Sequence, residues 1–206
     1  DTSPDLRNQL ISNKIKNIDL VIYTHMHGDQ VHGINDLRVF AYKSKKKIPV
    51  YADSITGKYL KKSFAYCFKN SPGYKSILKL NKLKKNLLFK KKNKFISVKA
   101  IKVEHGNINS QSLIFNKSCA YISDANKIYS NDLKYFKNLK YLVIDCLRIN
   151  YHPSHFNLSE VLNLNKILKP KKTILTNLHS DLDYKYLVKI LPKNVFPAYD
   201  GMSFYI

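Results

Sequence analysis

The feature that most constrains this chain is a short apolar segment that ends in a cluster of histidine and aspartate side chains. Residues 18–24 (IDLVIYT) are rich in β-branched side chains and are typical of a buried β-strand. His25, His27 and Asp29 follow at once, in the order HMHGDQ. Neutral imidazoles suit zinc, iron or manganese, and two histidines separated by a single residue can place both rings on one ion. The sequence therefore predicts a metal site directly after this strand.

Polar residues follow three more predicted strands in the same way. His105 comes after an alternating segment, Asp124 after a short apolar one, and His179 after the run KTILT. Sites are usually built from side chains held at the ends of strands on a rigid scaffold. We therefore expect these residues to converge with His25 on one cluster.

The rest of the chain shows a mixed order of helices and strands without an internal repeat. Helical spacing covers residues 34–42, 53–64, 158–168 and 183–190, with Asp53 or Ser54 capping the second and Asn157 or Ser159 near the start of the third. Strands are predicted at residues 48–51, 77–80, 87–89, 95–103, 111–115, 119–122, 141–145 and 172–176, near Val195, and at 203–206. Asn116-Lys117 is the predicted turn of a hairpin.

The net charge of +22 has two interpretations. Clustered lysines at residues 43–47, 82–85 and 90–94 would suit a polyanionic partner such as RNA. However, lysines are scattered along the whole chain, which is also rich in Asn, Ile and Tyr, and a genome biased towards A and T produces that composition without selection for binding. We favour the compositional interpretation, so nucleic acid is not the expected partner.

Cysteine usage and hydropathy bear on location. Cys67, Cys119 and Cys146 are odd in number and far apart, which argues against a disulfide framework, and we expect them to be buried in a cytoplasmic protein. No segment has the apolar length of a membrane helix, and the first residues lack the features of a signal peptide. The missing initiator Met suggests a fragment.

Taken together, these motifs resemble the metallo-β-lactamase superfamily, whose hallmark is HxHxDH, and within it the phosphoribosyl 1,2-cyclic phosphate phosphodiesterase-like (PhnP-like) branch. The resemblance rests on segments in family order along almost the whole chain: DTSPDLR, THMHGDQVHGINDLR, VEHG, YISDA, HPSHF, TNLHSDLDY and PAYDGM. It implies an α/β fold, the αββα four-layer sandwich, formed by a single domain over residues 1–206. The N-terminal strand region that normally precedes DTSPDLR is absent, so we expect a truncated domain.

The resemblance also assigns roles to particular residues. It implies that the first metal is held by His25, His27 and His105, the second by Asp29 and His179, and that Asp124 bridges the two. His155 is similar to the family histidine that contacts the substrate phosphate and protonates the leaving group. Two divalent ions, zinc or manganese, are the implied cofactors.

Each of these residues also has an ordinary structural interpretation. Asp124 is placed to cap a turn, His155 lies close to a helix start near Asn157, and His105 and His179 are compatible with unspecialised strand-end or loop positions. His32 is expected to support the site rather than bind metal.

One residue departs from the family pattern. The last histidine of the hallmark motif is Gln30 here. A neutral amide oxygen is a weaker ligand than an imidazole, so the sequence predicts a weak second site or a harder ion such as manganese.

The expected function is a metal-dependent hydrolase, most specifically a phosphodiesterase that cleaves a small cyclic or nucleotide-like phosphate ester through a metal-activated hydroxide. Asp29 would orient the nucleophile or accept its proton, and His155 would act as the general acid. The alternatives are a tRNA-processing or other nuclease of the same superfamily and a degenerate, non-catalytic metal-binding protein. A small phosphate ester is the expected partner, and a homodimer is compatible with the sequence.

Overall fold

The computed structural model describes all residues from 1 to 206. The chain divides into two compact units, Asp1–Lys84 and Lys85–Ile206. Each unit contains its own sheet and its own hydrophobic core. The single-domain organisation expected from the sequence stays a prediction.

The first unit is a small parallel α/β layer. Its strands β1 (Val21–Ile22), β2 (Ile48–Ala52) and β3 (Leu78–Lys82) form one sheet in the order β1-β2-β3. Its helices are α1 (Leu6–Ser12), α2 (Gly28–Val31), α3 (Arg38–Ser44), α4 (Ser54–Ser63) and α5 (Ala65–Phe68), with a 3-10 segment at His32–Leu37. Asp53 caps α4, because its carboxylate accepts a hydrogen bond from the Thr56 amide.

Strand β1 is much shorter than the apolar segment that predicts it. Tyr23 still bonds its amide to the carbonyl of Tyr51 on β2, at 2.8 Å. The next amide, that of Thr24, instead donates to the side chain of Asp1 at 2.7 Å. The ladder therefore ends at Tyr23, two residues before His25, and a side chain meets the amide that follows.

The second unit is built on a seven-stranded sheet. Strands β4 (Asn86–Lys91), β5 (Lys94–His105), β6 (Ile108–Phe115) and β7 (Cys119–Ile122) run antiparallel in sequence. Strands β8 (Tyr141–Asp145), β9 (Lys172–Thr176) and β10 (Val195–Pro197) then continue the sheet in parallel pairing. Helices α6 (Leu158–Leu168) and α7 (Tyr184–Ile190) and a 3-10 segment at Ser130–Tyr135 complete the unit.

Helix α6 shows how local sequence and packing agree. Asn157 accepts the amide of Glu160, and the Glu160 carboxylate accepts the amide of Asn157, which satisfies two donors at the helix start. Val161 and Leu168 are buried in the core of the second unit at helical spacing. The helix ends at Leu168. The next residue, Lys169, has a left-handed backbone conformation and precedes Pro170.

A predicted turn and a predicted strand have opposite outcomes. The hairpin at Asn116-Lys117 is confirmed, since both residues have positive φ, 51° and 52°, as a two-residue hairpin turn requires. The predicted strand at residues 203–206 is wrong. Phe204 stacks on Tyr141 with ring centroids 4.3 Å apart, and Lys140 donates to the Tyr205 carbonyl, so side chains hold this segment instead of a ladder.

The three cysteines are buried, as the sequence predicts. Cys67, Cys119 and Cys146 are free and buried. Burial raises the pKa of the Cys119 thiol to about 11 and that of Cys146 to about 12, so both stay protonated at neutral pH. None of the helices combines the length and apolar character needed to span a lipid bilayer.

We predict that Gly33→Ala destabilises the protein by about 2 kcal/mol. A Cβ atom at Gly33 would lie 2.0 Å from the Ser3 carbonyl oxygen and 2.8 Å from Leu6 Cβ, so backbone must move to admit it. Gly57→Ala is the matched control, because its Cβ would meet only the end of the Leu80 side chain, at 3.2 Å. Chemical denaturation measures both, and equal midpoints for the two variants would contradict the packing argument.

Candidate metal centre

The first unit presents two adjacent imidazoles at the end of β1. The chain leaves the strand at Thr24, and α2 begins at Gly28 with His27 as its N-cap residue. His25 is buried and His27 is exposed. Their ring centroids lie 4.7 Å apart at an interplanar angle of 78°. The structure therefore brings this predicted ligand pair together.

Hydrogen bonds around Thr24 determine which nitrogen of His25 carries the proton. The Thr24 hydroxyl donates to Asp1 Oδ2 at 3.0 Å, so its only hydrogen is used. The same hydroxyl oxygen lies 3.0 Å from His25 Nδ1 and must therefore accept from it. His25 is protonated at Nδ1, which leaves the Nε2 lone pair for a metal ion.

Asp29 and Gln30 lie in the first turn of α2. Asp29 is exposed, and the Gln30 side-chain amide donates to its Oδ2 at 2.8 Å. The amide that replaces the family histidine thus holds the neighbouring carboxylate. Its role as a weak ligand of a second metal stays a prediction. His32 packs edge-on against Phe64, with ring centroids 6.0 Å apart, and its supporting role stays a prediction.

The second unit brings together His105 and Asp124. His105 is the last residue of β5, and Asp124 lies two residues beyond β7. Both are buried, and His105 Nε2 is 3.7 Å from Asp124 Oδ2. His105 Nδ1 lies 2.6 Å from the Ser154 carbonyl, which can only accept, so His105 also carries its proton on Nδ1. Its Nε2 therefore faces the carboxylate as a lone pair.

A glycine permits this close approach. Gly106, directly after His105, has a φ of +57°, and a Cβ there would lie 2.8 Å from Ser154 Cβ. Only a residue without a side chain allows both the turn and the nearby loop. The Gly106 of the VEHG motif therefore supports the His105 contact.

His155 belongs to a carboxylate–imidazole pair. Its Nδ1 lies 2.7 Å from Asp145 Oδ2, and its ring centroid lies 4.8 Å from that of His105. Asp145 is fully buried at the end of β8 and also accepts the Ala125 amide at 3.0 Å. Burial raises the pKa of Asp145, while the hydrogen bond from His155 opposes that shift.

Two residues of this site were missed by the sequence analysis. Asp145 orients His155, and the Asn177 side-chain amide donates to both Asp124 and Asp145 at 3.3 Å. Asp145 ends a strand that the sequence predicts correctly, so the strand-end pattern that indicates Asp124 could also have indicated Asp145. Asn177 directly follows β9 and has a φ of +64°, which no sequence signal predicts.

His179 is an exposed loop residue. Its side chain is 57% exposed, and its Nδ1 lies 3.1 Å from Asp181 Oδ1. The donor types that hold metal ions, imidazole nitrogens and carboxylate oxygens, are offered by His25 and His27 in the first unit and by His105 and Asp124 in the second.

The comparisons with known proteins place this chain in a family. The β-lactamase superfamily domain matches residues 1–177. A solved structure described as a new diphosphatase from the PhnP family is 28% identical, with a TM-score of 0.88 over 98% of this chain and 76% of that chain. The short form of human tRNase Z is 16% identical, with a TM-score of 0.67 over 98% of this chain and 85% of that chain, which shows a common fold alone.

A curated relative is much longer than this chain. An octanoyltransferase of Porphyromonas gingivalis (strain ATCC BAA-308 / W83) is 27% identical over 207 residues, which are 98% of this chain and 41% of that protein. This chain therefore spans about two fifths of the length of that relative.

The family match shows a metallo-β-lactamase-fold protein, and its histidine and aspartate side chains are consistent with binding a divalent metal ion. The chain belongs to the β-lactamase superfamily, in its PhnP-like branch, as its motifs predict.

We predict that Thr24→Val weakens divalent metal binding about 10- to 100-fold, because His25 loses the acceptor that holds its Nδ1 proton. Titration against a chromophoric chelator measures the dissociation constant. Thr2→Val is the matched control, since this buried threonine contacts Tyr23 and the Val31 carbonyl rather than a histidine. An unchanged metal affinity in Thr24→Val would show that the hydroxyl does not position His25.

Proposed function

We propose that this protein is a metal-dependent phosphodiesterase that cleaves a small cyclic or nucleotide-like phosphate ester. The observation that carries the proposal is the His155–Asp145 pair lying in ring contact with the candidate ligand His105. Such a pair would supply a proton donor beside the metal ion that His105 is proposed to hold. Hydrolysis of a phosphate ester uses a proton donor to protonate the leaving group. The likeness to a PhnP-family diphosphatase supports a phosphate ester as the substrate class.

We propose that these ligands are shared between two divalent ions, zinc or manganese. We assign His25, His27 and His105 to the first, Asp29 and His179 to the second, and Asp124 to both. His25 and His105 have their Nδ1 protons fixed by acceptors, so each offers an Nε2 lone pair, as zinc and manganese require. When bound, the ions lower the proton affinity of water and neutralise charge on the phosphoryl oxygens.

Asp29 is the proposed acceptor of the proton lost by the attacking water. Its carboxylate is exposed, and the Gln30 amide holds one of its two oxygens at 2.8 Å. A carboxylate held in this way keeps its second oxygen in a defined direction. Gln30 therefore compensates in part for the absent histidine by orienting its neighbour.

His155 is the proposed general acid. The Asp145 carboxylate lies 2.7 Å from its Nδ1, so the proton for the reaction would be carried on the other ring nitrogen, Nε2. A proton on Nε2 can pass to the oxygen of the leaving group, and the buried charge of Asp145 stabilises the imidazolium that precedes this step. This arrangement follows the same physical logic as other carboxylate–histidine pairs in hydrolases.

A nuclease is the second candidate, and one structural observation favours it. The lysine-rich segment forms a hairpin of β4 and β5 with exposed lysines at its tip: Lys90, Lys91, Lys92 and Lys94. Such a hairpin can contact a phosphate backbone. Steep loss of tRNA-precursor cleavage with added salt, together with no turnover of small esters, would favour this candidate. A metal content below one tight ion per chain would favour a non-catalytic protein.

The cytoplasm is the proposed location, because three free, buried cysteines suit a reducing compartment.

We expect Asp29→Ala to lower kcat for bis(p-nitrophenyl) phosphate and for a ribose cyclic phosphate by about 100-fold or more. Metal analysis of the same preparations should show that the first ion is retained, since Asp29 is not among its proposed ligands. Asp5→Ala, which removes another exposed carboxylate, should keep full activity. Turnover insensitive to Asp29→Ala would overturn the proposed role.

Asp145→Asn is expected to lower kcat by about 100-fold without loss of metal, because a neutral amide cannot stabilise the protonated form of His155. Esters with a good leaving group need less protonation, so p-nitrophenyl esters should lose less activity than alkyl esters. Asp5→Asn is the control at an exposed position. Equal losses for both leaving groups would argue against general acid catalysis by His155.

A further inference from the structure

The first unit carries a groove between α1 and α3 that the proposed reaction does not use. The groove has a volume of about 730 Å³ and is lined by one face of each helix. Arg7, Leu10 and Ile11 line it from α1 at the spacing i, i+3, i+4, which places all three on one side of that helix. The opposite wall comes from α3, where Val39 and Lys43 lie one turn apart. Two helix faces thus meet at one groove of the first unit.

The groove is apolar and open to solvent. Ile11 is 66% exposed and Val39 is 62% exposed, and Ile15 and Tyr42, which also line the groove, are exposed as well. Large apolar side chains that are gathered in one exposed patch mark an interaction site. A small ligand is usually enclosed over most of its surface, which side chains this exposed do not achieve. The shape of the groove therefore fits a segment of a macromolecule.

Arg38 gives the groove a cationic edge that is held in place. Its guanidinium carbon lies 4.2 Å from the centroid of the Tyr74 ring. Its Nη1 donates to the Tyr42 hydroxyl at 3.1 Å, and its Nη2 donates to Asn35 Oδ1 at 3.3 Å. A guanidinium has five N–H donors, so these two hydrogen bonds leave others for the carboxylate of a partner. Because the side chain is already ordered, binding a partner costs less conformational entropy.

The charge of the groove is strongly one-sided. Asp36 is the one carboxylate that lines it, against five cationic side chains: Arg7, Lys14, Lys16, Arg38 and Lys43. Composition explains lysines on any surface of this chain. It does not explain the arginines, because only three arginines stand among the 36 basic residues and two of them line this groove. Arginine is enriched at protein interfaces, where its planar fork pairs with carboxylates, whereas lysine is depleted there. The groove therefore favours an acidic partner.

We propose that the groove between α1 and α3 binds an acidic amphipathic helix of a partner protein. Apolar side chains one turn apart on that helix pack on Ile11 and Val39, and its flanking carboxylates pair with Arg7 and Arg38. A second copy of this chain is disfavoured as the occupant, because its net charge of +22 repels the same cations. None of these residues is assigned to the metal ions or to proton transfer, so this inference is independent of the proposed function.

Binding of a synthetic helical peptide, measured by fluorescence anisotropy at physiological salt, tests this inference. The probe has leucines at the spacing of one helix face and glutamates elsewhere, and a matched probe has the same composition with the leucine positions scrambled. We expect micromolar binding of the first probe and about tenfold weaker binding of the scrambled one. Val39→Ser and Arg7→Ala should each weaken binding of the first probe about tenfold. Both residues are exposed, so the variants should keep the wild-type denaturation midpoint. Val188→Ser, at a 57% exposed valine of α7, and Lys166→Ala, at an exposed cation of α6, are the matched controls and should leave binding unchanged.

Several results would overturn the groove as a helix site. Equal binding of the two probes, or binding that survives both Val39→Ser and Arg7→Ala, means that net charge alone attracts the peptide. Absence of binding by the first probe rejects the proposal directly. Sedimentation velocity tests the second copy, since a dimer that Val39→Ser dissociates gives the groove to another molecule of this chain. Vesicles of anionic phospholipid test a membrane, which is the occupant if both variants lose vesicle binding and the peptide does not bind.

Discussion

The chemistry of this protein depends on which nitrogen of each histidine carries its proton. Neutral imidazole has one donor and one acceptor, so a group that can only accept at Nδ1 leaves Nε2 as the lone pair. A hydroxyl whose hydrogen is already used does this for His25, and a backbone carbonyl does it for His105. A backbone amide does the reverse for His152. The groups that contact each histidine thus separate the candidate metal ligands, which have a lone pair on Nε2, from His152, which has a proton there.

These supporting groups explain why the strand ends matter more than the histidines alone. The carboxylate of Asp1 replaces a strand neighbour at Thr24, which both ends β1 and fixes the hydroxyl that holds His25. In the second unit, Asp145 ends β8 and binds His155, while Asn177 after β9 links Asp145 to Asp124. The polar residues at the strand ends therefore hold the histidines of each unit in place.

Local signals predicted the elements whose ends are determined by their own side chains. Helix α6 has matching bounds because Asn157 and Glu160 cap it in both directions, and β8 and β9 are apolar runs that fill the core of the second unit. Residues 203–206 have the composition of a strand but are held by Tyr141 and Lys140, two contacts that depend on tertiary position. Local sequence patterns reach only part of the site in the same way. His105 and Asp124 are indicated by their position after strands. The contacts of the Ser154 carbonyl with His105 and of Asn177 with Asp124 join residues far apart in sequence, so no local pattern indicates them.

The substitution at Gln30 illustrates how a departure from a family motif can be absorbed locally. An imidazole at this position would be a strong metal ligand, whereas the amide offers only a weakly binding oxygen. In the structure its nitrogen donates to Asp29, so the residue acts on the neighbouring carboxylate. A carboxylate with one oxygen held by an amide has less freedom to rotate, which suits the role proposed for Asp29 as a proton acceptor. In this chain, Gln30 therefore acts through its hydrogen bond to Asp29.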